Sequence, residues 1–453
     1  MDRLRAFISN KDQLDEQEYQ PLNEDGGAPD SQSDGHDVPF SWFEYSIFAV
    51  LGVAMLWAWN MFLAAASYFQ LRFQDDEWSL QNFQPAILSI STLTNLGTMA
   101  ILAKKQHSAS YPFRINLALY INVGTFALLT ASAKLFLDAP PKLYLVFMLT
   151  MVALTAWASG LIQNGVFAFV SSFGRPEYMQ AIMAGQGIAG VLPSFVQVAS
   201  VLVAPPPEAL SGTTAPDSDK GTAAFIYFLT AVIISVAALF AFVPLVRRHD
   251  RVIENRMMEH MAASMNSIEE AERAARKTVS MTTLLKKLKW FVGALFVCFS
   301  LTMFFPVFTA KVLSVTPVDK ASALLKPAAF IPLGFLFWNI GDLVGRSASL
   351  RFSLRHRPIV LFAISVARSV FLPMYLLCNI NGRGAAVDSD LFYLLLVQLP
   401  FGFTNGWLGS NCMMAAGEWV SEGEREASGG FMGLCLVAGL SFGSLLSFTA
   451  AGI

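Results

Sequence analysis

The sequence is poor in charge. Only 14% of its 453 residues are Asp, Glu, Lys or Arg, whereas a typical soluble domain has about 25%. Hydrophobic residues make up 54% of the chain and aromatic residues 13%. This composition excludes an ordinary soluble protein and predicts a polytopic membrane protein. The net charge of −2 favours neither nucleic acid nor an acidic protein as a partner.

The residues that build metal, redox and hydrolytic sites are scarce and scattered. The four cysteines lie in or beside apolar runs without a CxxC pair, and the five histidines fall in predicted tails and loops without metal-ligand spacing. No nucleophile, general base or metal cluster is spaced as a membrane-embedded enzyme would need it. We therefore expect no enzyme activity, no metal and no cofactor.

Long apolar runs account for most of the chain and predict an all-α polytopic membrane protein. Counting runs of about 20 residues as helical spans gives eleven, at approximately 45–69, 84–103, 115–137, 143–173, 177–204, 222–246, 288–312, 326–350, 358–378, 391–414 and 427–452. A stretch dense in charges of both signs, 247–287, is predicted to be a cytosolic loop that is helical or partly disordered. It separates a six-helix bundle at 42–246 from a five-helix bundle at 288–453.

Lys and Arg are distributed unevenly among the short loops, and this predicts the orientation. Loops after even-numbered spans are basic, with Lys104, Lys105 and Arg355 among their residues, whereas loops after odd-numbered spans contain acidic residues such as Asp75 and Asp388. The amino terminus and the charged loop are therefore predicted to be cytosolic. The odd number of spans places the carboxyl terminus on the other side.

Residues 1–41 are predicted to form a disordered, acidic cytosolic tail, because they are rich in Asp, Glu, Gln, Gly and Pro. Within the tail, Tyr19-Gln20-Pro21-Leu22 is similar to a tyrosine-based sorting signal, which would bind sorting adaptors. Four-residue motifs also recur by chance, so the tail is interpreted either as a sorting element or as a solvated segment without one.

An acid and a base lie four residues apart in the eighth span, at Asp342 and Arg346. On a helix this spacing places both side chains on one face, about 6 Å apart along the axis. Each charge would cost about 2.5–3.5 kcal/mol at the bilayer centre, so both should face the bundle interior or a wet cavity. Gly341 and Gly345 form a GxxxG motif that allows a helix or a ligand to approach the backbone. Two interpretations follow: a structural ion pair, or a solute site.

Other polar or aromatic side chains lie within predicted spans. Trp59 and Asn60 fit either packing or a stacking wall for a planar solute, and Gln163 fits either a bridge between helices or a partner for the edge of a nucleobase. Arg368 in the ninth span and Arg114 at the start of the third need acceptors. Because Asp342 is the obvious carboxylate within a span, these residues suggest a shared polar network.

The order and spacing of many short motifs over residues 42–450 resemble the equilibrative nucleoside transporter family. The motifs are Trp59-Asn60; Gln163, Tyr178, Met183, Gly185-Gln186-Gly187 and Ala189-Gly190; Asn339, Asp342, Gly345 and Arg346; Arg368, Pro373 and Cys378-Asn379; and Asn405-Gly406, Leu408, Glu424, Glu426, Gly429, Met432, Gly439-Leu440, Gly443 and Ser447-Phe448. This sequence departs from the family pattern at Ala58, where relatives often have Pro. The loop after the first span also lacks the N-x-[ST] sequon of some animal members.

The resemblance implies a six-plus-five arrangement similar to the major facilitator fold, alternating access, and facilitated transport of purine and pyrimidine nucleosides, with nucleobases as extra substrates. It implies that Asp342 and Arg346 hold the ribose, that Gln163 meets the base, and that Trp59 and Leu63 line the base pocket. We assign substrate binding to Trp59, Asn60, Leu63, Gln163, Asp342 and Arg346, and a supporting polar network to Arg114, Asn339 and Arg368.

The alternatives are a transporter of the same fold for a sugar or an organic cation, and proton-coupled nucleoside transport. Few titratable groups lie within the spans, which favours uncoupled diffusion over proton coupling. The acidic tail with its Tyr-x-x-Leu element is similar to fungal and endomembrane members of the family. We therefore predict a monomeric integral protein of a vacuole-like membrane, with the plasma membrane as the alternative.

Overall fold

A computed structural model describes residues 40–105, 110–135, 139–203, 217–263 and 279–447. The predicted acidic tail as far as residue 39, with its sorting element Tyr19–Leu22, lies outside the described residues, whereas Phe40 and Ser41 are described. Regular structure in the described ranges is almost entirely α-helical, and the β-structure found there is a single isolated bridge between Val312 and Ile380.

The chain forms fourteen α-helices within these ranges. They are α1 Trp42–Ala64, α2 Ala66–Arg72, α3 Glu77–Lys104, α4 Tyr111–Leu135, α5 Pro141–Ser171, α6 Pro176–Val203, α7 Asp217–Ala263, α8 Met281–Thr302, α9 Phe304–Thr309, α10 Pro327–Ala348, α11 Pro358–Ala367, α12 Phe371–Leu376, α13 Leu399–Glu418 and α14 Arg425–Ser447. Short 3-10 turns lie at Arg368–Val370 and Glu422–Glu424, and a π-helical segment at Phe392–Gln398 leads into α13.

Ten helical segments of the described chain are long and apolar enough to cross a membrane. The fold class predicted from the sequence, an all-α polytopic membrane protein, is confirmed. The predicted span at 391–414 corresponds to the π-helical segment and α13, which are not among the ten. The reason is that α13 carries many small and polar residues, yet much of it is buried between other helices, including Gly402, Asn405, Gly406 and Asn411.

Several helix boundaries differ from those predicted. The third helix, α3, begins at Glu77 because the Asp76 carboxylate accepts a hydrogen bond from the backbone N–H of Ser79 at 3.2 Å, which caps the helix. The seventh, α7, continues to Ala263, so the first part of the predicted charged loop 247–287 is helical. Helix α8 begins within the same predicted loop, at Met281.

The first predicted span divides into α1 and α2 at Ala65, and two other predicted spans are interrupted near a proline. The seventh predicted span divides into α8 and α9 near Pro306, whose ring nitrogen has no hydrogen to donate to the carbonyl of Thr302. The ninth divides into α11 and α12, with a 3-10 turn that begins at Arg368, shortly before Pro373. Both interruptions therefore follow from a proline within the span.

Helices α10 and α13 pack backbone against backbone through two GxxxG motifs. A Cβ atom added at Gly341 or Gly345 would collide with backbone atoms of α13, and one added at Gly402 or Gly406 would collide with backbone atoms of α10. The GxxxG motif predicted in the eighth span is therefore occupied by another helix. This close approach brings α13 against the helix that carries Asp342.

The apolar core is shared between the first six and the last five spans at the predicted cytoplasmic end. One cluster of buried side chains there includes Phe48 and Tyr178 from the first six spans and Leu288 and Met432 from the last five. At the other end, the first six spans form one cluster, while a separate cluster comes from the last five together with Val198 of α6. The two sets of spans therefore share one apolar core at one end and pack largely separately at the other.

We expect reporter fusions to place the amino terminus and the connection between α7 and α8 in the cytosol, and the carboxyl terminus on the other side. The reason is the bias of Lys and Arg toward one set of short loops. The measurement is fluorescence or glycosylation of the fused reporter. Termini on the same side would contradict the eleven-span topology.

Candidate functional site

Asp342 and Arg346 form a buried ion pair on one face of α10. Arg346 Nε donates to Asp342 Oδ2 at 2.6 Å, and each residue is only 4% exposed. The i, i+4 spacing of the sequence is therefore realised as a direct contact. A charged pair buried this deeply needs further hydrogen bonds to offset the loss of hydration.

Asn405 of α13 supplies one of these hydrogen bonds. Its Nδ2 donates to Asp342 Oδ1 at 2.7 Å. Its own oxygen, Oδ1, accepts from Thr302 Oγ1 at 2.6 Å and from Arg368 Nη2 at 3.5 Å. The Asp342 carboxylate is thus linked to the guanidinium of Arg368 through a neutral amide.

Arg368 is almost completely buried, at 2% exposure, and its remaining hydrogen bonds go to uncharged acceptors. Nη1 donates to the carbonyl oxygen of Cys298 at 2.8 Å, and Nε donates to Thr404 Oγ1 at 3.1 Å. The guanidinium also lies over the ring of Phe401, 4.8 Å from its centroid. The charge is therefore stabilised by dipoles and an aromatic face, with Asp342 reached through Asn405.

The other end of Arg346 reaches across to α6, in the first six spans. Nη1 donates to the carbonyl oxygen of Met183 and to Gln186 Oε1, both at 3.0 Å. In return, Gln180 Nε2 donates to the backbone oxygen of Arg346 at 3.2 Å. One guanidinium therefore contacts the carboxylate of its own helix and holds α10 against α6.

Two further asparagines also bind α6. Asn339 of α10 donates through Nδ2 to Ser194 Oγ at 2.9 Å, and Asn60 of α1 donates through Nδ2 to the carbonyl oxygen of Ala189 at 2.7 Å. Asn339 thus adds a further hydrogen bond between α6 and α10. The Asn60 amide already uses one donor to bridge α1 and α6.

Gln163 carries an unpaired acceptor. Its side chain is 7% exposed, and within the described part of the chain Oε1 has no hydrogen-bond partner. A buried amide oxygen without a partner is costly, so it is available to a donor group on a ligand or to water. An unpaired amide oxygen is the kind of group that would accept a hydrogen bond from the edge of a nucleobase.

Arg114 makes its hydrogen bonds apart from the central pair. Nη1 donates to Asn164 Oδ1, and Nη2 donates to the carbonyl oxygen of Lys105 at 2.9 Å. The shared network expected from the sequence therefore links Arg368 to Asp342, whereas Arg114 binds a separate part of the bundle, at the predicted cytoplasmic end of α4.

Trp59 and Leu63 lie one turn apart on α1. Trp59 is partly buried against the apolar cluster at the non-cytoplasmic end of the first six spans, and Leu63 is 52% exposed. The neighbouring indole of Trp57 donates to Thr230 Oγ1 at 3.0 Å and so packs toward α7. Of the two tryptophans, Trp57 is held by a hydrogen bond within the bundle.

The sequence singled out Asp342, Arg346 and Arg368 but missed the amides that connect them. Asn405 and Gln186 were recognised only as parts of the Asn405-Gly406 and Gly185-Gln186-Gly187 motifs. The available signal was an amide between small residues inside an apolar span, because such a side chain must find a partner on a closely packed neighbour. Thr302 gave no comparable signal.

The arrangement provides hydrogen-bond acceptors and donors side by side. Asp342 offers carboxylate lone pairs and Arg346 offers guanidinium donors at the contact between α6 and α10. The part of the chain that the structure describes contains no group of three or more His, Cys, Asp or Glu residues placed to hold a metal ion. A solute with hydroxyls and ring oxygens would satisfy both charged groups.

Comparisons with known proteins give nucleoside transporters among the relatives of this chain. The family model described as "Nucleoside transporter" matches residues 148–451. The nucleoside transporter FUN26 of Saccharomyces cerevisiae is 28% identical over 444 residues, which cover 89% of this chain and 83% of that protein. Equilibrative nucleoside transporter 1 of Rattus norvegicus is 26% identical over 462 residues, which cover 89% of this chain and 95% of that protein.

Among solved structures, the fold is similar to that of the E. coli fucose:proton symporter FucP. The TM-score is 0.54 at 13% sequence identity, and the match covers 91% of this chain and 93% of that chain. At this identity the likeness concerns the fold alone.

Proposed function

Because the chain belongs to the nucleoside transporter family, we propose that it moves nucleosides across its membrane by alternating access. The observation that carries the proposal is the buried Asp342–Arg346 pair at the contact between α6 and α10, with Arg346 bonded to both helices. A site at the contact between the two sets of spans can be exposed to one side of the membrane and then to the other as that contact opens and closes.

The chemistry of the site fits the sugar of a nucleoside. A vicinal diol has two O–H donors that suit one carboxylate, and a ribose has oxygen acceptors that suit a guanidinium. Asp342 still has lone pairs for these donors, because its two oxygens provide about four lone-pair sites and accept two hydrogen bonds from Arg346 and Asn405. The orphan oxygen of Gln163 suits a donor on the base, and Trp59 suits its planar face.

The test is uptake of labelled uridine and adenosine into proteoliposomes that contain the purified protein. We expect saturable uptake that stops when the inside and outside concentrations are equal, with or without a pH gradient. Uptake that needs a pH gradient would support the proton-coupled alternative. Competition by a sugar or an organic cation, without competition by nucleosides, would replace the proposed substrate class.

The two side chains assigned to the base should give different phenotypes. Trp59→Ala should weaken the binding of purine and pyrimidine nucleosides alike, by about 1–3 kcal/mol if stacking acts as it does in nucleic-acid binding. Gln163→Ala should change the ranking between bases, by about 0.5–1.5 kcal/mol for the base that loses a hydrogen bond. The measurement is competition of uridine uptake by a panel of nucleosides.

Trp157 of α5 offers a matched control, because its side chain is 41% exposed on the helix that carries Gln163. Trp157→Ala removes the same side chain as Trp59→Ala and should leave both affinity and ranking unchanged. Normal transport by folded Trp59→Ala and Gln163→Ala variants would return both residues to a packing role.

The protein is an integral membrane protein, and we propose a vacuole-like membrane as its residence. Support comes from the Tyr-x-x-Leu element of the acidic tail. Tyr19→Ala combined with Leu22→Ala should move the protein to the cell surface, as seen by fluorescence microscopy. Unchanged localisation would remove the sorting proposal and leave the transport proposal intact.

We also propose that the monomer is the transporting unit, because one chain supplies both α6 and α10.

A further inference from the structure

The Asp342 carboxylate is held at both oxygens by donors from two different helices. Arg346 Nε occupies Oδ2 at 2.6 Å from within α10, and Asn405 Nδ2 occupies Oδ1 at 2.7 Å from α13. The terminal torsion of an aspartate side chain is broad when nothing restrains it. Two donors on the two oxygens fix the plane of the carboxylate, so its remaining lone pairs point in defined directions.

The orientation of the Asn405 amide is itself determined by its surroundings. Thr302 Oγ1 donates to Asn405 Oδ1 at 2.6 Å, and Arg368 Nη2 donates to the same atom at 3.5 Å. The reversed amide would turn its NH2 group toward a guanidinium, which cannot accept a hydrogen bond, and its oxygen toward a carboxylate, which cannot donate one. The guanidinium of Arg368 therefore obliges Asn405 to donate to Asp342, and the Thr302 hydroxyl, which also lies 2.8 Å from the Cys298 carbonyl oxygen, packs against Asn405 Oδ1.

We propose that Asn405 is a positioning residue for sugar recognition: it orients the Asp342 carboxylate toward the vicinal hydroxyls of the substrate. Asn405 is 1% exposed, and its amide is bonded on both sides within the protein, so it acts through Asp342. This inference rests on the proposed function, in which Asp342 accepts from the sugar. An acceptor that is already oriented loses less conformational freedom on binding and discriminates better between substrates with and without the diol.

The experiment measures equilibrium binding of uridine and of 2′,3′-dideoxyuridine to the purified, folded protein. The readout is the ratio of the two affinities. Asn405→Ala should lower this ratio about tenfold, as the loss of an oriented hydrogen bond to a charged group allows. In the Asp342→Ala background, Asn405→Ala should leave the ratio unchanged, because the group that it orients is gone.

Thr302 provides a second variant and a matched control. Thr302→Val keeps the shape of the side chain but removes the donor to Asn405 Oδ1, and it should lower the ratio in the same direction as Asn405→Ala. Thr302→Ser keeps the hydroxyl and should retain the wild-type ratio. If Asn405→Ala does not fold, Thr302→Val against Thr302→Ser decides the question.

The inference is overturned if folded Asn405→Ala, or in its place folded Thr302→Val, weakens the binding of both ligands equally and leaves the ratio of affinities unchanged. That result would mean that Asn405 only holds α13 against α10. Failure of the proposed function has a different signature, because the wild-type protein would then bind neither ligand or would bind both with the same affinity.

Discussion

Replacing Asp342 with alanine is expected to abolish the discrimination between nucleosides and their 2′,3′-dideoxy analogues. The wild-type protein should bind dideoxynucleosides more weakly by about 1–3 kcal/mol, the cost of losing hydrogen bonds to a buried carboxylate. This corresponds to about 5- to 150-fold in affinity. Asp342→Ala should bind both ligands equally poorly. The measurement is a thermodynamic cycle between the substitution and removal of the sugar hydroxyls.

Arg346→Ala is a poor substitute for this experiment. It should also impair binding, but it leaves Asp342 buried without its counter-charge and removes the hydrogen bonds that hold α10 against α6. The cycle at Asp342 avoids this ambiguity, because it compares two ligands within each protein. A coupling energy near zero in folded protein would assign the pair a structural role and place sugar recognition elsewhere.

Replacing Gly406 with valine is expected to prevent formation of the native bundle. Any Cβ atom there would collide with the backbone oxygen of Asp342 on α10, and the neighbouring backbone cannot move aside as a flexible side chain could. Overpacking of a core costs about 1–3 kcal/mol when side chains can adjust, and this contact should reach at least the upper end. The measurement is the melting temperature and the monodispersity of the solubilised protein.

Gly417 is the matched control for this substitution, because it lies on the same helix and a Cβ atom there would meet nothing within 4 Å. Gly417→Val should give protein close to wild type in yield and melting temperature. A stable, monodisperse Gly406→Val protein would show that α10 and α13 are not packed as described.

Features that depend on neighbouring residues in the sequence were predictable. The pairing of Asp342 with Arg346 follows from a helical repeat, and the close packing at Gly341 and Gly345 follows from the absence of side chains. The apolar length of most spans was sufficient to locate them. The interruption near Pro306 could also have been anticipated, because a proline inside a helix removes a hydrogen bond.

Features that depend on contacts with a second helix could not be predicted from the sequence. The partner of Asp342 on α13, Asn405, is separated from it by 63 residues. Sequence shows that both are polar groups in spans, but it does not show which of the several buried amides faces which charge. For the same reason the sequence grouped Arg114 with the central pair, whereas it binds Asn164 in the structure.

Glycines allow several pairs of helices in the bundle to touch backbone to backbone. Backbones touch without intervening side chains between α1 and α6, at Gly52 and Gly185, and between α10 and α13, at Gly345 and Gly406. We therefore expect each pair of helices to move as a unit, because no flexible side chain lies between the two backbones. Between α6 and α10 the connection includes hydrogen bonds from Arg346, which can break and form again. In the proposed function these hydrogen bonds would break and form again as the contact between α6 and α10 opens and closes, so the charge proposed to bind the sugar also belongs to the joint that moves.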